Sequence, residues 1–275
     1  MQRIRGAALL LVLWCILLLS MLVAGYALTA RIESMQGNGA ARALVSQEAA
    51  RAGLELAVSK LLEQDPAQQW RLDGRVHEWT FADAAIVIRL HDEASKIDLN
   101  AASFDLLQAF FIALGEPREG ATQLAGAVLD WRDPDHLNQP AGGAEDPSYA
   151  AEGLPWGAKD APFESVSELQ QVLGMRRELY AAAATHLTVY SGQAQPNGDW
   201  ADAVVRRAMG LPEKSPADST QASPISGSGT YSIDSVARLA DGRGTRLSAV
   251  IRLGGSGLPG STYTTLHWQQ TRVGS

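Results

Sequence analysis

Four carboxylates crowd a loop rich in proline and glycine and could together hold a cation: Asp133, Asp135, Glu145 and Asp146. Hard oxygen ligands on a chain segment able to bend around an ion suit calcium, which takes about six to eight oxygens, backbone carbonyls included. Asp130, just upstream, either adds a ligand or hydrogen-bonds around Trp131. An EF-hand is excluded. Counted from Asp133, Leu137 and Asn138 stand where that loop needs an oxygen ligand and a glycine. The same four residues also read as an acidic surface loop in water, and their chemistry alone leaves both readings open. The five histidines are scattered, with no two at ligand spacing on one helix face, so a histidine-based zinc site is not expected. Ser191-Gly192 and the separate His186 lack a G-x-S-x-G context and a third partner, so no enzyme is expected.

A second constellation suggests nucleic acid. Ile97–Ala102 with Leu106-Leu107 and Leu114-Gly115, and Ser167-Glu168-Leu169 with Leu173-Gly174, look like halves of helix-hairpin-helix modules, which grip phosphates with glycine turns and cations. Charge argues the other way. Residues Asn100 to Leu187 hold 13 Asp/Glu against 5 Lys/Arg, a net charge of −8, and the whole chain carries −7. Such a surface repels a phosphate backbone. The helix pairs therefore read as a protein-binding scaffold with no nucleic-acid partner, and an envelope DNA-uptake protein is the alternative function.

The scaffold around these residues starts at the N-terminus. From Ala7 to Ala30 no residue is charged, and 24 helical residues reach roughly 36 Å, enough to cross a hydrocarbon core. Arg3 and Arg5 precede the run, which puts the N-terminus in the cytoplasm and the bulk outside. Gly25-Tyr26-Ala27 resembles a signal-peptidase site, but the apolar run before it is too long for a cleaved secretory signal. The single cysteine, Cys15, lies inside this run, so the rest of the fold is held without a disulfide. Leu54, Val58, Leu61 and Leu62 continue a helical pattern, with Gly37-Asn38-Gly39 expected to bend or melt it and Asp65-Pro66 to end it.

Strand signals follow in two groups. Trp79–Phe81 and Ala85–Leu90 form the first; Tyr231–Ile233, Leu247–Leu253 and Tyr263–Trp268 form the second. Asp241-Gly242, Gly254-Gly255 and Pro259-Gly260 supply turns, and Glu213–Gly229 reads as a Ser/Pro/Gly-rich loop. Between the groups, Asn100 to Leu187 reads as helices and loops. The fold class is α+β: a long N-terminal helix, transmembrane then amphipathic, packs on an antiparallel sheet that carries an inserted all-α domain. With 46% apolar residues the chain can fill such cores.

Several of these segments carry a family resemblance. Met1–Gly6 is a short basic leader whose glycine abuts the apolar run, which resembles a prepilin signal cut after Gly6 to leave Ala7 as the first residue. Asp92–Asn100, Asp130–Asp135, Gly143-Ala144-Glu145, Tyr149, Pro155-Trp156, Ser167-Glu168-Leu169, Leu187–Gly192 and the closing Tyr263…Leu266-His267-Trp268 follow in order. Together they resemble the K-type minor pseudopilins of type II secretion systems. Pro196–Ala201 departs from that family's pattern.

The resemblance implies a leader at 1–6, a transmembrane helix at 7–30, a pilin-like periplasmic domain in two parts, 31–99 and 187–275, and an inserted helical domain at 100–186. It implies processing by a prepilin peptidase, N-terminal methylation, and a single-pass inner-membrane anchor. Most pilins have a glutamate at the fifth mature position; here it is Leu11, as in the K-type subunit, which needs no carboxylate because no neighbour sits above it. The implied role is at the pseudopilus tip, initiating and capping assembly for protein export. Implied partners are minor pseudopilins of the I and J types, the major pseudopilin, and secreted cargo or the outer-membrane secretin. The resemblance also implies calcium at Asp133, Asp135, Glu145 and Asp146.

Overall fold

The computed structural model describes residues 4–65, 67–214, 227–254 and 262–274, with side chains except at 4–8 and 28–38. Met1–Arg3 of the expected leader, most of the expected loop at Glu213–Gly229 and the expected turn at Pro259-Gly260 lie outside the described residues. One helix, α1 (Ile4–Leu61), runs 58 residues. It carries Leu9–Ala27, 19 residues apolar and long enough to cross a membrane, with Leu11 exposed on its surface. The helix is unbroken through Gly37-Asn38-Gly39, against the melting expected there. Each glycine costs about 1 kcal/mol relative to alanine, but breaking the helix would require a second nucleation, which costs more. Arg243 Nη1 also donates to the Gly39 carbonyl at 3.2 Å, tying this part of α1 to the sheet. The helix stops at Leu61, just short of Asp65.

The sheet has five antiparallel strands in the order β1-β2-β5-β6-β7. These are β1 (His77–Phe81), β2 (Ala84–Asp92), β5 (Thr230–Leu239), β6 (Gly244–Leu253) and β7 (Tyr263–Val273). The period-2 patterns of β2, β5 and β6 bury Ile86, Ile88, Leu90, Ile233, Ala237, Leu247, Ala249 and Ile251 on one face. The later half of α1 lies there, burying Ala49, Ala50, Leu54, Ala57 and Val58. The β1–β2 hairpin turns through Ala82 and Asp83, both at positive φ (49° and 61°). Two-residue hairpins favour this geometry, but with no glycine at either position Ala82-Asp83 carries no turn signal.

Gly53 sets how closely helix and sheet approach. A Cβ there would lie 2.3 Å from Ser235 Oγ and 2.9 Å from Ile86 Cγ2. Gly53→Leu should therefore destabilise the folded domain by about 1–3 kcal/mol through overpacking. Chemical denaturation of variant and parent checks this; an unchanged midpoint would show the contact to be slack.

A helical body is inserted between β2 and β5. Its ends meet at a neck where β3 (Ile97–Asp98) pairs in parallel with β4 (Leu187–Thr188). The helices are α2 (Phe104–Ala113), α3 (Arg118–Arg132), α4 (Asp146–Ala151), α5 (Arg177–Ala183) and α6 (Ala203–Ala208). They enclose Leu107, Phe110, Phe111, Trp131, Tyr149 and Leu169. Ala201, Val205 and Ala208 belong to the same core, with α6 packed on α2. The helical body therefore reaches past residue 187, where the sequence puts the return to the sheet. The motif at Leu187 closes the neck; it does not end the insertion.

The neck is polar and buried. Lys96 Nζ donates to Glu93 Oε1 at 2.6 Å and to Ser232 Oγ at 2.9 Å, and Thr188 Oγ1 donates to Glu93 Oε2. Burial pushes the Glu93 carboxyl up, but Lys96 and these hydrogen bonds outweigh it and hold the group below its ordinary range. Asp98 Oδ2 accepts from Ser191 Oγ and from the Gly192 amide. A buried carboxylate needs such partners, which explains the dense polar motif Asp92–Asn100 at this junction.

Candidate metal centre

The acidic loop hangs from the end of α3. Asp130, in its last turn, is fully buried and accepts from the Ala144 amide at 2.7 Å and the Gln139 amide at 3.2 Å. It braces the loop from inside. Gly143 permits this, since a Cβ there would stand 2.1 Å from Asp130 Oδ2. Burial pushes the Asp130 carboxyl up to about 6, against the pull of the two amides, with Asp133 and Asp135 adding to the rise.

Asp133 caps α3, with Oδ2 accepting weakly from Gln139 Nε2 at 3.4 Å and Oδ1 buried without a partner. Asp135 accepts from the Leu137 amide at 2.8 Å. Glu145 precedes α4, is only 3% exposed, and has no hydrogen-bond partner for either carboxylate oxygen. Burial pushes it up to about 7, and Asp130, Asp160 and Asp133 push the same way. Ligand oxygens of Asp133, Asp135 and Glu145 lie within 4.8 Å of one another.

Asp146 does not join them. It is exposed in the first turn of α4, with its carboxylate against Gly157. Two other residues do arrive. His136, Glu145 and Asp160 form a second group within the same 4.8 Å limit, and Asp160 Oδ1 is also buried without a partner. Asp160 stands well along the chain from the loop and His136 was one histidine among several, so neither showed a ligand spacing.

Nearby cations are turned elsewhere. Lys159 binds Glu168 Oε2 at 2.8 Å and the Pro162 carbonyl, while Arg132 donates to the Leu99 and Ala102 carbonyls. Buried carboxylate oxygens with no donor cost free energy unless a cation meets them. The donor set of Asp133, Asp135 and Glu145 is hard oxygen, which fits a divalent ion of the calcium type.

Comparison with known proteins agrees with the resemblance read from the sequence. The family model for "Type II secretion system (T2SS), protein K" matches residues 87–192. The chain is 31% identical over 203 residues to type II secretion system protein K of Klebsiella pneumoniae, covering 65% of this chain and 60% of that protein. It is 39% identical over 67 residues to the protein of the same name from Pectobacterium carotovorum subsp. carotovorum, covering 24% of this chain and 20% of that one. The matched stretches thus span less than two thirds of these relatives. In fold, the chain is similar to one in the crystal structure of the GspK-GspI-GspJ complex from the enterotoxigenic Escherichia coli type 2 secretion system. The TM-score is 0.62 at 18% identity, over 88% of this chain and 99% of that one. The type II secretion system protein K model thus matches the inserted body and its neck, and the α+β architecture is similar to that of the solved chain along most of the sequence.

Proposed function

We propose that this protein stands at the tip of a type II secretion pseudopilus, starting and capping its assembly so that cargo can be exported across the outer membrane. The observation that carries the reading is where the helical body leaves the sheet. At the membrane-side end, Gly39 of α1 meets Arg243, and Ser46 Oγ lies 2.8 Å from Thr245 Oγ1. The neck follows Asp92, at the opposite end, beyond the level where Gly53 meets Ile86 and Ile88. A large body on the membrane-remote end of a pilin-like sheet obstructs the next subunit. Leu11 supports the same reading, because a subunit with nothing above it has no amine to pair with a buried carboxylate.

The body is periplasmic and the N-terminus cytoplasmic in this proposal, with the Leu9–Ala27 helix as the inner-membrane anchor. Its partners are minor pseudopilins of the I and J types. The named complex in the similar solved structure supports this choice. The role is assembly, not catalysis. The detergent-solubilised full chain, mixed with I-type and J-type subunits from the same source, should elute from size exclusion as one complex. Separate elution at micromolar concentration would remove the partner assignment.

Leader cleavage between Gly6 and Ala7 belongs to the same proposal. Gly6→Val should block processing, since a branched side chain crowds the scissile bond, and secretion should drop to the level of a strain lacking the gene. Intact mass of the parent protein checks the site; a mature chain beginning anywhere but Ala7 would remove it.

Calcium is the proposed ion, held by Asp133, Asp135 and Glu145, with backbone carbonyls and water completing the shell. Bound there, it would turn mutual repulsion of the carboxylates into a cross-link between the end of α3 and the start of α4.

A further inference from the structure

On the sheet face opposite α1, strands β2, β5, β6 and β7 run up to the helical body and leave a cleft of about 420 Å³ beneath it. Arg89 and His91 of β2, His267 of β7 and Thr185, in the short turn Ala184–His186 after α5, line it. A volume of this size is that of a ligand pocket. A bulge in the β6–β7 pairing falls at Val250, whose partner is His267, and bulges re-aim side chains at sites.

The cleft is rich in donors, and its acceptors are already engaged. Asp234 accepts from Arg246 at 2.7 and 2.8 Å and from Ser248 Oγ at 2.9 Å, while Glu93 accepts from Lys96 at 2.6 Å. Arg89 stands across from Asp234 in the strand register, yet among the described residues it makes no ion pair or side-chain hydrogen bond. The side chains of His91, Thr185 and His267 make no hydrogen bond there either. Burial, with the neighbouring Lys96, holds His91 below its ordinary range against the pull of Glu93, Asp202 and Asp73. At neutral pH the unpaired fixed charge is therefore that of Arg89.

We propose that this cleft binds a peptide segment of another protein through a single carboxylate, held by Arg89 with His267 and Thr185 donating beside it. A guanidinium grips a carboxylate with two parallel N–H groups. Two features narrow the ligand. Residues Asn100 to Leu187, the body above the cleft, hold 13 Asp/Glu against 5 Lys/Arg, which disfavours nucleic acid and strings of acidic residues. Lys96 and Thr185 place the cleft at the neck, remote from the membrane helix and its lipid headgroups. The donors come from both the sheet and the helical body, so a bound peptide ties one to the other. Binding is a property of this chain alone and stands apart from the tip reading.

The test pans a phage-displayed random heptapeptide library over the full chain in detergent. Selected peptides should carry one Asp or Glu among uncharged residues, and changing that residue to Asn or Gln should abolish binding. Arg89→Gln should weaken a selected peptide by about tenfold or more, the loss of a charged hydrogen bond. Its thermal midpoint should be unchanged, because Arg89 supports no ion pair. Arg238→Gln, exposed on β5 outside the cleft, should leave binding as it was. Millimolar inorganic phosphate should not compete. A selection without single-carboxylate peptides, binding indifferent to Arg89→Gln, or equal losses in Arg89→Gln and Arg238→Gln would overturn the proposal. So would displacement of the peptide by phosphate, which would mark a general anion site.

Discussion

Calcium added to chelator-stripped protein should raise the thermal midpoint of the whole folded region by about 5–10 °C at saturating ion. A ligand bound only by the folded state stabilises it by about 2.7 kcal/mol at a hundredfold excess over Kd, and each kcal/mol moves the midpoint of a domain this size by about 2–4 °C. Asp133→Ala combined with Glu145→Ala should abolish the shift while the sheet stays folded, because the two cores are distinct. Magnesium should substitute poorly, since it keeps its waters and demands a smaller octahedral shell.

The pH dependence of this shift has a definite sign. Without the ion, burial raises Glu145 to about 7 and Asp130 to about 6, so the folded state holds protons that the unfolded chain releases nearer pH 4. Their contribution to ion-free stability is therefore fullest at low pH and is lost as pH rises through about 4 to 7. Calcium needs Glu145 ionised. The calcium-induced shift should be large at pH 7.5, shrink by pH 5.5, and be accompanied by proton release near pH 6.5. Groups elsewhere with lowered values, such as Glu93 and Asp202, titrate alike with and without the ion, so the difference isolates the loop. Differential scanning calorimetry measures the shift and a pH electrode in weak buffer the proton release; a shift independent of pH would exclude Glu145 as a ligand.

Excising the helical body should uncouple anchoring from capping. Asp92 is paired with Tyr231 on adjacent antiparallel strands, so a short glycine-containing loop can replace the residues between them and leave a continuous hairpin. The sheet and α1 keep their own core, from Ala49 to Ile251, losing only the partial cover of Trp200. Such a variant should fold and remain in the membrane. Under the tip reading, pseudopili carrying it should lengthen, and secretion should fall to the level of a strain lacking the protein. Electron microscopy of overexpressed fibres and an export assay read the two effects. Unchanged fibre length with normal export would show that the body does not cap.

Much of this was legible in the sequence because it follows from local pattern. A charge-free run of helical length has few alternatives, and period-2 apolar strands flanked by turns describe a one-sided sheet. The junction motif at Asp92–Asn100 was visible as a motif, but its reason was not. Glu93 is stabilised by Lys96, Thr188 and Ser232, two of which arrive from distant parts of the chain. Helix continuity through Gly37-Asn38-Gly39 was likewise hidden, because residue propensities do not contain the cooperativity of a 58-residue helix or its tie to Arg243.

Pattern along the chain was enough for the long apolar helix, the strand groups, an inserted acidic domain and three members of the carboxylate cluster. That Asp146 lies apart while His136 and Asp160 come within 4.8 Å of Glu145, that α6 belongs to the helical body, and that Glu145 is buried between two ligand groups could be read only from the packing. The physical reason is common to all three. Secondary-structure period and charge are properties of neighbours along the chain. A binding site and a core boundary are set by which distant side chains share one desolvated volume, and here loops folding back on the end of α3 make that choice.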